Sequence, residues 1–261
     1  MKLNYLVIVI FLVACQPTKT ENPKQNLAQQ KVMATLWFQQ SAEMEAAYLQ
    51  AYNHAKLLLA SKLDSLSMEG TYGVVLDIDE TVLDNSPAEV ILIQNGDTFS
   101  PDNWNEWTSQ ARARALPGVK DFIEFSMKNG VEVFYISNRT VDELEPTLKN
   151  LRELDFPNAD SAHVFLKEET SDKTERRAKV SELADIILYV GDNLRDYSEV
   201  FGDRGADLGK GLVHSTKEDW LNNFIILPNP TYGEWEKAIY GNNYGLTDEE
   251  KINARLGALE K

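Results

Sequence analysis

A chain of 261 residues that is 43% hydrophobic and 26% charged has the composition of a soluble globular protein. That length buries a full core without disulfides or structural metals. Its 41 acidic against 26 basic residues leave a net charge of -15. This excludes a nucleic acid polymer as a docking partner, because phosphate backbones are held by Lys and Arg surfaces, but not a small phosphate ester that needs only a local positive site.

Residues 1–14 read as a signal peptide: Lys2, an apolar stretch from Tyr5 to Val13, then small Ala14. The stretch is shorter than the roughly 20 apolar residues that span a bilayer. Leu12-Val13-Ala14-Cys15 resembles the bacterial lipobox, so Cys15, the only cysteine, is the expected lipidation site. A diacylated cysteine anchors an otherwise soluble protein. Because Gln16 rather than aspartate follows, the expected location is the bacterial cell envelope, in the outer membrane, with membrane contact through the N-terminal lipid only. Residues 15–30 are polar, carry two prolines and read as the lipid-anchored tether.

From Val32 to Leu66 apolar residues recur at helical spacing, including Leu36, Met44, Tyr48, Tyr52 and Leu58. The period then changes. Gly73–Leu76 is a short continuous apolar run, suited to a parallel strand buried on both faces. Further runs of that kind are Val131–Ile136, His163–Leu166, Ile186–Val190 and Phe224–Leu227. Helical segments at Val119–Lys128, Val141–Leu154, Lys173–Leu183 and after Asn193 separate them, and a last helix starts near Asp248. This alternation predicts an α/β fold, a parallel sheet with helices on both faces. Residues 86–116 interrupt the rhythm and read as a small helical cap.

Ligands of an open parallel sheet bind outside the carboxyl ends of its strands. Asp77, Asp79 and Thr81 follow the first strand, and Ser137-Asn138-Arg139 the second. Lys167 and Lys173 lie beyond the third, and Gly191-Asp192-Asn193-Leu194-Arg195-Asp196 follows the fourth. Such a set suits phosphoryl transfer from a monoester. A phosphate dianion repels an anionic nucleophile, so a divalent cation must neutralise both. Mg2+ takes oxygen ligands, here the carboxylates of Asp77 and Asp192 and the main-chain carbonyl of Asp79. Asp77 can then attack phosphorus, and Asp79 can protonate the departing alkoxide and later deprotonate water. Ser137, neighbouring groups from Thr81 and Asn138, and the Lys173 ammonium can hold the phosphoryl oxygens. His163 and His214 lack the arginine–histidine signature of a histidine phosphatase and read as structural.

VVLDIDETVLDN (74–85), ISNR (136–139), SDKTER (171–176) and ILYVGDNLRDY (187–197) resemble the four motifs of the haloacid dehalogenase superfamily. More narrowly, the mature chain resembles the bacterial class C acid phosphatases of the outer-membrane lipoprotein e type, as far as PNPTYGEW (228–235). The resemblance implies a haloacid dehalogenase-like Rossmannoid sheet over residues 31–261, capped by 31–66 and 86–116. It assigns Asp77 as nucleophile, Asp79 as acid/base, Ser137 and Lys173 as phosphate ligands, Asp192 as a metal ligand and Asp196 as its support. It further implies Mg2+ as cofactor and nucleoside 5'-monophosphates, nicotinamide mononucleotide included, as substrates. Trp104 and Tyr232 match aromatics that sandwich the base, with Trp107 a second candidate. Ala88 stands where the family usually has tyrosine. Three alternatives remain open from sequence: a phosphatase without nucleotide preference, a non-catalytic ligand-binding lipoprotein, and association as a homodimer.

Overall fold

The structure, a computed structural model, describes residues 22–67 and 70–260. The expected signal peptide, the lipobox and Cys15 lie outside the described residues. Among the described residues no helix is long and apolar enough to cross a membrane.

The described part of the expected tether is helical and docked. Asn22 caps α1 (Pro23–Gln29) through its side chain, Pro23 stands in the first turn, and Leu27 and Ala28 are buried. Proline is tolerated there because a first-turn N–H has no intrahelical partner. The predicted single helix after it is two. The first is α2 (Val32–Gln40); the second is α3 (Ala42–Leu63), restarted by Ser41, whose hydroxyl accepts from the Met44 N–H at 3.1 Å. Helix α3 is not part of a cap. Its Tyr48, Tyr52, Ala55 and Leu59 are buried in the main core with Val74 and Leu76.

Strand β1 (Tyr72–Leu76) leads into the short β2 (Leu83–Asp84), and then come α4 (Ser86–Asn95), α5 (Pro101–Thr108) and β3 (Arg114–Ala115). Antiparallel pairing of β2 with β3 closes the base of this insertion, so 85–113 project as one unit. Chain order continues with α6 (Val119–Lys128), β4 (Val131–Thr140), α7 (Leu144–Glu153), β5 (Val164–Lys167), α8 (Thr174–Ser181), β6 (Asp185–Gly191) and α9 (Leu194–Tyr197). It ends with α10 (Lys210–Ser215), α11 (Lys217–Asn223), β7 (Phe224–Ile226), α12 (Glu234–Ile239) and α13 (Asp248–Gly257). Helix α13 lies against α1: the Arg255 guanidinium donates to Gln30 Oε1 at 3.0 Å.

The main sheet runs β5-β4-β1-β6-β7 with every pair parallel. Successive side chains of a strand point to opposite faces, and β1 shows it. Val74 and Leu76 enter the large core beneath α3 and α6, while Val75 joins Phe134, Ile136, Val180 and Ala184 on the other face. Burial on both faces is why these strands read as unbroken apolar runs. The central position of β1 places residues 77–81 in the middle of the carboxyl edge.

Candidate active site

Beyond β1 the chain makes one tight turn in which the Ile78 carbonyl accepts from the N–H groups of Val82 (2.9 Å) and Leu83 (2.8 Å). Two tyrosines one helical turn apart on α3 pin it from below. Tyr48 donates its hydroxyl to the Glu80 carbonyl at 2.6 Å, and Tyr52 donates to the Thr81 carbonyl at 2.7 Å. The two tyrosines that pack in the core therefore also fix the loop that carries the aspartates.

Asp77 is buried at the tip of β1. The Lys173 ammonium spends its three donors on Asp77 Oδ1 (2.5 Å), Asp196 Oδ1 (2.7 Å) and the Ile136 carbonyl (2.8 Å). Lys167, the alternative, ends β5 at the edge of the sheet, with β4 between it and β1. One carboxylate oxygen from each of Asp77, Asp192 and Asp196 lies within 4.8 Å of the others. Burial, then repulsion from Asp196 and Asp79 working against the attraction of Lys173, pushes the Asp77 carboxyl up to about 7. Burial and the charges of Asp196 and Asp77 also push Asp192 well above the carboxylate range. Three carboxylates facing one ammonium are short of positive charge. An all-oxygen donor set of this kind fits a hard divalent cation, and the residues present can hold one.

The cluster is held from outside by neutral donors. Asn229 Nδ2 donates to Asp192 Oδ2 at 2.8 Å, and the Asn193 N–H donates to Asp196 Oδ2 at 2.9 Å. Asp79's carboxylate is not in the cluster; its expected ligand atom, the main-chain carbonyl, is a different atom. That carboxylate is gripped by Arg139 through Nε (3.0 Å) and NH2 (2.8 Å), by Asn85 Nδ2 (2.8 Å) and by the Ser137 hydroxyl (3.1 Å).

Two of the residues expected to face phosphate are turned elsewhere. Thr81 is fully buried and its hydroxyl points to Asp192 Oδ1 at 3.5 Å. Asn138 is exposed, and its Oδ1 accepts from Arg176 NH2 at 2.8 Å. Ser137 is buried beside the aspartates, accepting from the Arg139 N–H at 3.0 Å while donating to Asp79. Trp104 is half-buried, its ring 5.9 Å from the Arg139 guanidinium carbon and 6.3 Å from Phe99. Tyr232 is half-buried and its hydroxyl is bonded to Glu80 Oε2. Trp107 is buried and donates Nε1–H to Asn85 Oδ1 at 2.8 Å, which makes it a structural post rather than a free platform.

Residues 12–235 match the family model of HAD superfamily, subfamily IIIB (Acid phosphatase). The chain belongs to this acid phosphatase family. The class C acid phosphatase of Bacillus anthracis is 38% identical, with a TM-score of 0.85 over 90% of this chain and 98% of that chain. The same values hold for that enzyme's crystal structure with tungstate bound. The phosphatase is accordingly a phosphomonoesterase on a haloacid dehalogenase-like fold.

Four residues of the phosphatase's site had no sequence argument behind them: Glu80, Asn85, Arg139 and Asn229. Asn85 is the most connected, since its N–H also donates to Glu80 Oε1 at 2.8 Å. Glu80, Asn85 and Arg139 lie inside the first two motifs, but Glu80 meets Tyr232 152 residues on and Arg139 meets Asp79 60 residues back. Arg176, from the lysine motif, donates to the Ser137 carbonyl at 2.5 Å and ties α8 to the end of β4.

Proposed function

We propose that this acid phosphatase is Mg2+-dependent, forms an aspartyl phosphate on Asp77, and acts in the bacterial envelope on nucleoside 5'-monophosphates, nicotinamide mononucleotide included. The observation that carries the reading is the buried Asp77 carboxylate, held by Lys173 inside a three-carboxylate cluster at the tip of the central strand.

In the reaction an Asp77 oxygen bonds to phosphorus as the ester P–O bond breaks, and Asp79 gives its proton to the leaving alkoxide. Water then attacks the phosphoryl group on Asp77 and Asp79 takes its proton, which releases phosphate and restores the Asp77 carboxylate and the protonated Asp79. Asp77, Asp192 and the Asp79 carbonyl, with Asp196 beside them, would hold Mg2+, which when bound would supply the charge neutralisation that two meeting anions need. Ser137 now donates to Asp79; on binding, a phosphoryl oxygen takes that hydrogen bond. Substrate entry thereby frees Asp79 on one side for proton transfer. Lys173 likewise exchanges a donor from protein to phosphate as charge develops. Tungstate bound to the Bacillus anthracis relative, a tetrahedral oxyanion like phosphate, supports this class of ligand.

Trp104 and Tyr232 each reach the aspartate loop through a partner, Trp104 through Arg139 bonded to Asp79 and Tyr232 through Glu80. Two aromatics linked to this loop suit stacking on a base, which contributes roughly 1–3 kcal/mol and tolerates different bases. The lipobox motif supports a lipid anchor on Cys15, and loss of labelled palmitate in Cys15→Ser is its check.

The test is phosphate release, with and without Mg2+, from nucleoside 5'-monophosphates, nicotinamide mononucleotide, sugar phosphates and para-nitrophenyl phosphate. Preference for the nucleotides supports the whole reading. Equal turnover of all keeps the aspartyl chemistry and removes the base platform. Full activity in chelator would overturn the metal assignment.

A further inference from the structure

Glu80 lies between the reacting aspartates and the aromatic expected to carry the base. Its main chain is fixed on both sides: the N–H donates to the Leu83 carbonyl at 2.9 Å, and the carbonyl accepts from Tyr48 at 2.6 Å. The backbone is left-handed there, with φ of 56°, a conformation unusual for a residue with a side chain. The side chain is 2% exposed. Its hydrogen-bond partners are the Asn85 N–H, which donates to Oε1 at 2.8 Å, and the Tyr232 hydroxyl at Oε2, 152 residues along the chain. Neither partner is charged, and a buried carboxyl without a cation costs folding free energy. An apolar side chain would serve packing better at this place.

The segment that Glu80 reaches is otherwise tied to the same loop. Tyr48 also donates toward the Pro228 carbonyl at 3.3 Å, and Asn229 holds Asp192. Next to Tyr232, Gly233 has φ of 142° and the Tyr232 carbonyl accepts from Trp235 Nε1 at 3.0 Å. The main chain of 228–233 is thus anchored, and the far end of the Tyr232 ring is held by the bond from its hydroxyl to Glu80.

We infer that Glu80 is a specificity-determining positioning residue, whose buried carboxyl fixes the Tyr232 ring in the pose that accepts a planar base. The inference rests on the nucleotide reading above. It adds that selectivity is set from inside the motif that carries the nucleophile.

The test is steady-state kinetics at saturating Mg2+ with adenosine 5'-monophosphate and ribose 5-phosphate, which share phosphate and sugar and differ by the base. The readout is the ratio of kcat/KM between the two. Tyr232→Phe, which removes only the hydroxyl, and Glu80→Ala are each expected to lower that ratio about two- to tenfold, the value of one hydrogen bond. The loss is expected in the nucleotide's KM rather than in kcat. Glu80→Gln keeps an acceptor for Asn85 and offers a donor to Tyr232, so it is expected to restore the ratio. A Tyr232→Phe variant with the wild-type ratio, or a Glu80→Ala variant that weakens both substrates equally, overturns the inference. Should Glu80→Ala not fold, Tyr232→Phe and Glu80→Gln decide alone. Tyr232→Ala separates the two levels: if it leaves the ratio untouched, the base platform itself is wrong.

Discussion

Replacing Asp77 by asparagine is expected to abolish turnover and, in chelator, to make the protein more stable. The carboxyl is held at about 7, up from the ordinary 3.8, by burial against the partial relief of Lys173. Because its folded-state value lies above its unfolded one, the folded chain holds this proton more tightly. Its contribution to stability is full below pH 4 and is lost as pH rises from about 4 to about 7. Above that window, ionised Asp77 opposes folding by up to about 4 kcal/mol, at 1.36 kcal/mol per pH unit. Asparagine stays neutral, keeps an oxygen for Lys173 and escapes that cost. Urea unfolding in chelator should therefore find wild type and Asp77→Asn alike at pH 4. At pH 8 the variant should be the more stable, by up to about 4 kcal/mol. Added Mg2+ should narrow the gap, since a ligand that binds only the folded state stabilises it. Turnover should fall by roughly four or more orders of magnitude, as for other nucleophiles removed from their site. A variant no more stable than wild type at pH 8 in chelator would refute the view that this carboxylate is held against its electrostatic preference. Substantial residual turnover would refute the nucleophile.

Two further perturbations probe the groups that hold the carboxylates. Asn229→Ala removes the 2.8 Å donor to Asp192 and is expected to weaken Mg2+ binding about 10- to 100-fold, as loss of a group orienting a metal ligand does. Titration calorimetry reads it directly, and unchanged affinity would remove Asn229 from the site. Arg139→Lys replaces the two-pronged grip on Asp79 with one ammonium and gives up the NH1 bond to Thr147 at 3.1 Å. Its kcat is expected to fall about 10- to 100-fold, the scale of a misplaced catalytic group; an unchanged kcat in a folded variant would show that Asp79 is oriented without it.

The strands were legible because a strand buried on both faces must be a short apolar run, and functional residues follow its carboxyl end. Asp77, Lys173, Asp192 and Asp196 were found that way and converge in space. Helix α6 matched its expected range, having a strong amphipathic pattern behind a Pro-Gly stop. The residues before Val32 were misread because seven of them form a helix whose buried face is only Leu27 and Ala28. So small an apolar face is invisible without its distant partner, α13. Helix α3 was expected in the cap because periodicity shows that a helix has an apolar face, not what that face meets. In the site, Thr81 and Asn138 faced other groups for the same reason: a motif gives order along a chain, not direction in space. Arg139 and Asn229 both lie in motif stretches, ISNR and PNPTYGEW, that assign them no partner. Arg139 forks onto a carboxylate 60 residues away and Asn229 donates to one 37 residues away, and no local spacing encodes such a pair.

The neutral contacts around the cluster, from Asn229 and the Asn193 N–H, have a common cause. Crowding Asp77, Asp192 and Asp196 around one ammonium raises the free energy of the metal-free chain, so the fold must hold the cluster with groups that add no competing charge. A second lysine would satisfy the carboxylates and close the site to a cation; an asparagine, a main-chain N–H or a tyrosine beneath the loop fixes geometry and leaves the negative field intact. The glycine at the end of β6 belongs to this arrangement. A Cβ on Gly191 would overlap the Asp196 side chain, so only glycine lets Asp196 fold back beside Asp192 and accept through both its oxygens, one from Lys173 and one from the Asn193 N–H. The GDNLRD sequence is therefore less a turn that happens to contain acids than a device for bringing two carboxylates together at one strand end, with the space for the second created by the absence of a side chain in the first position.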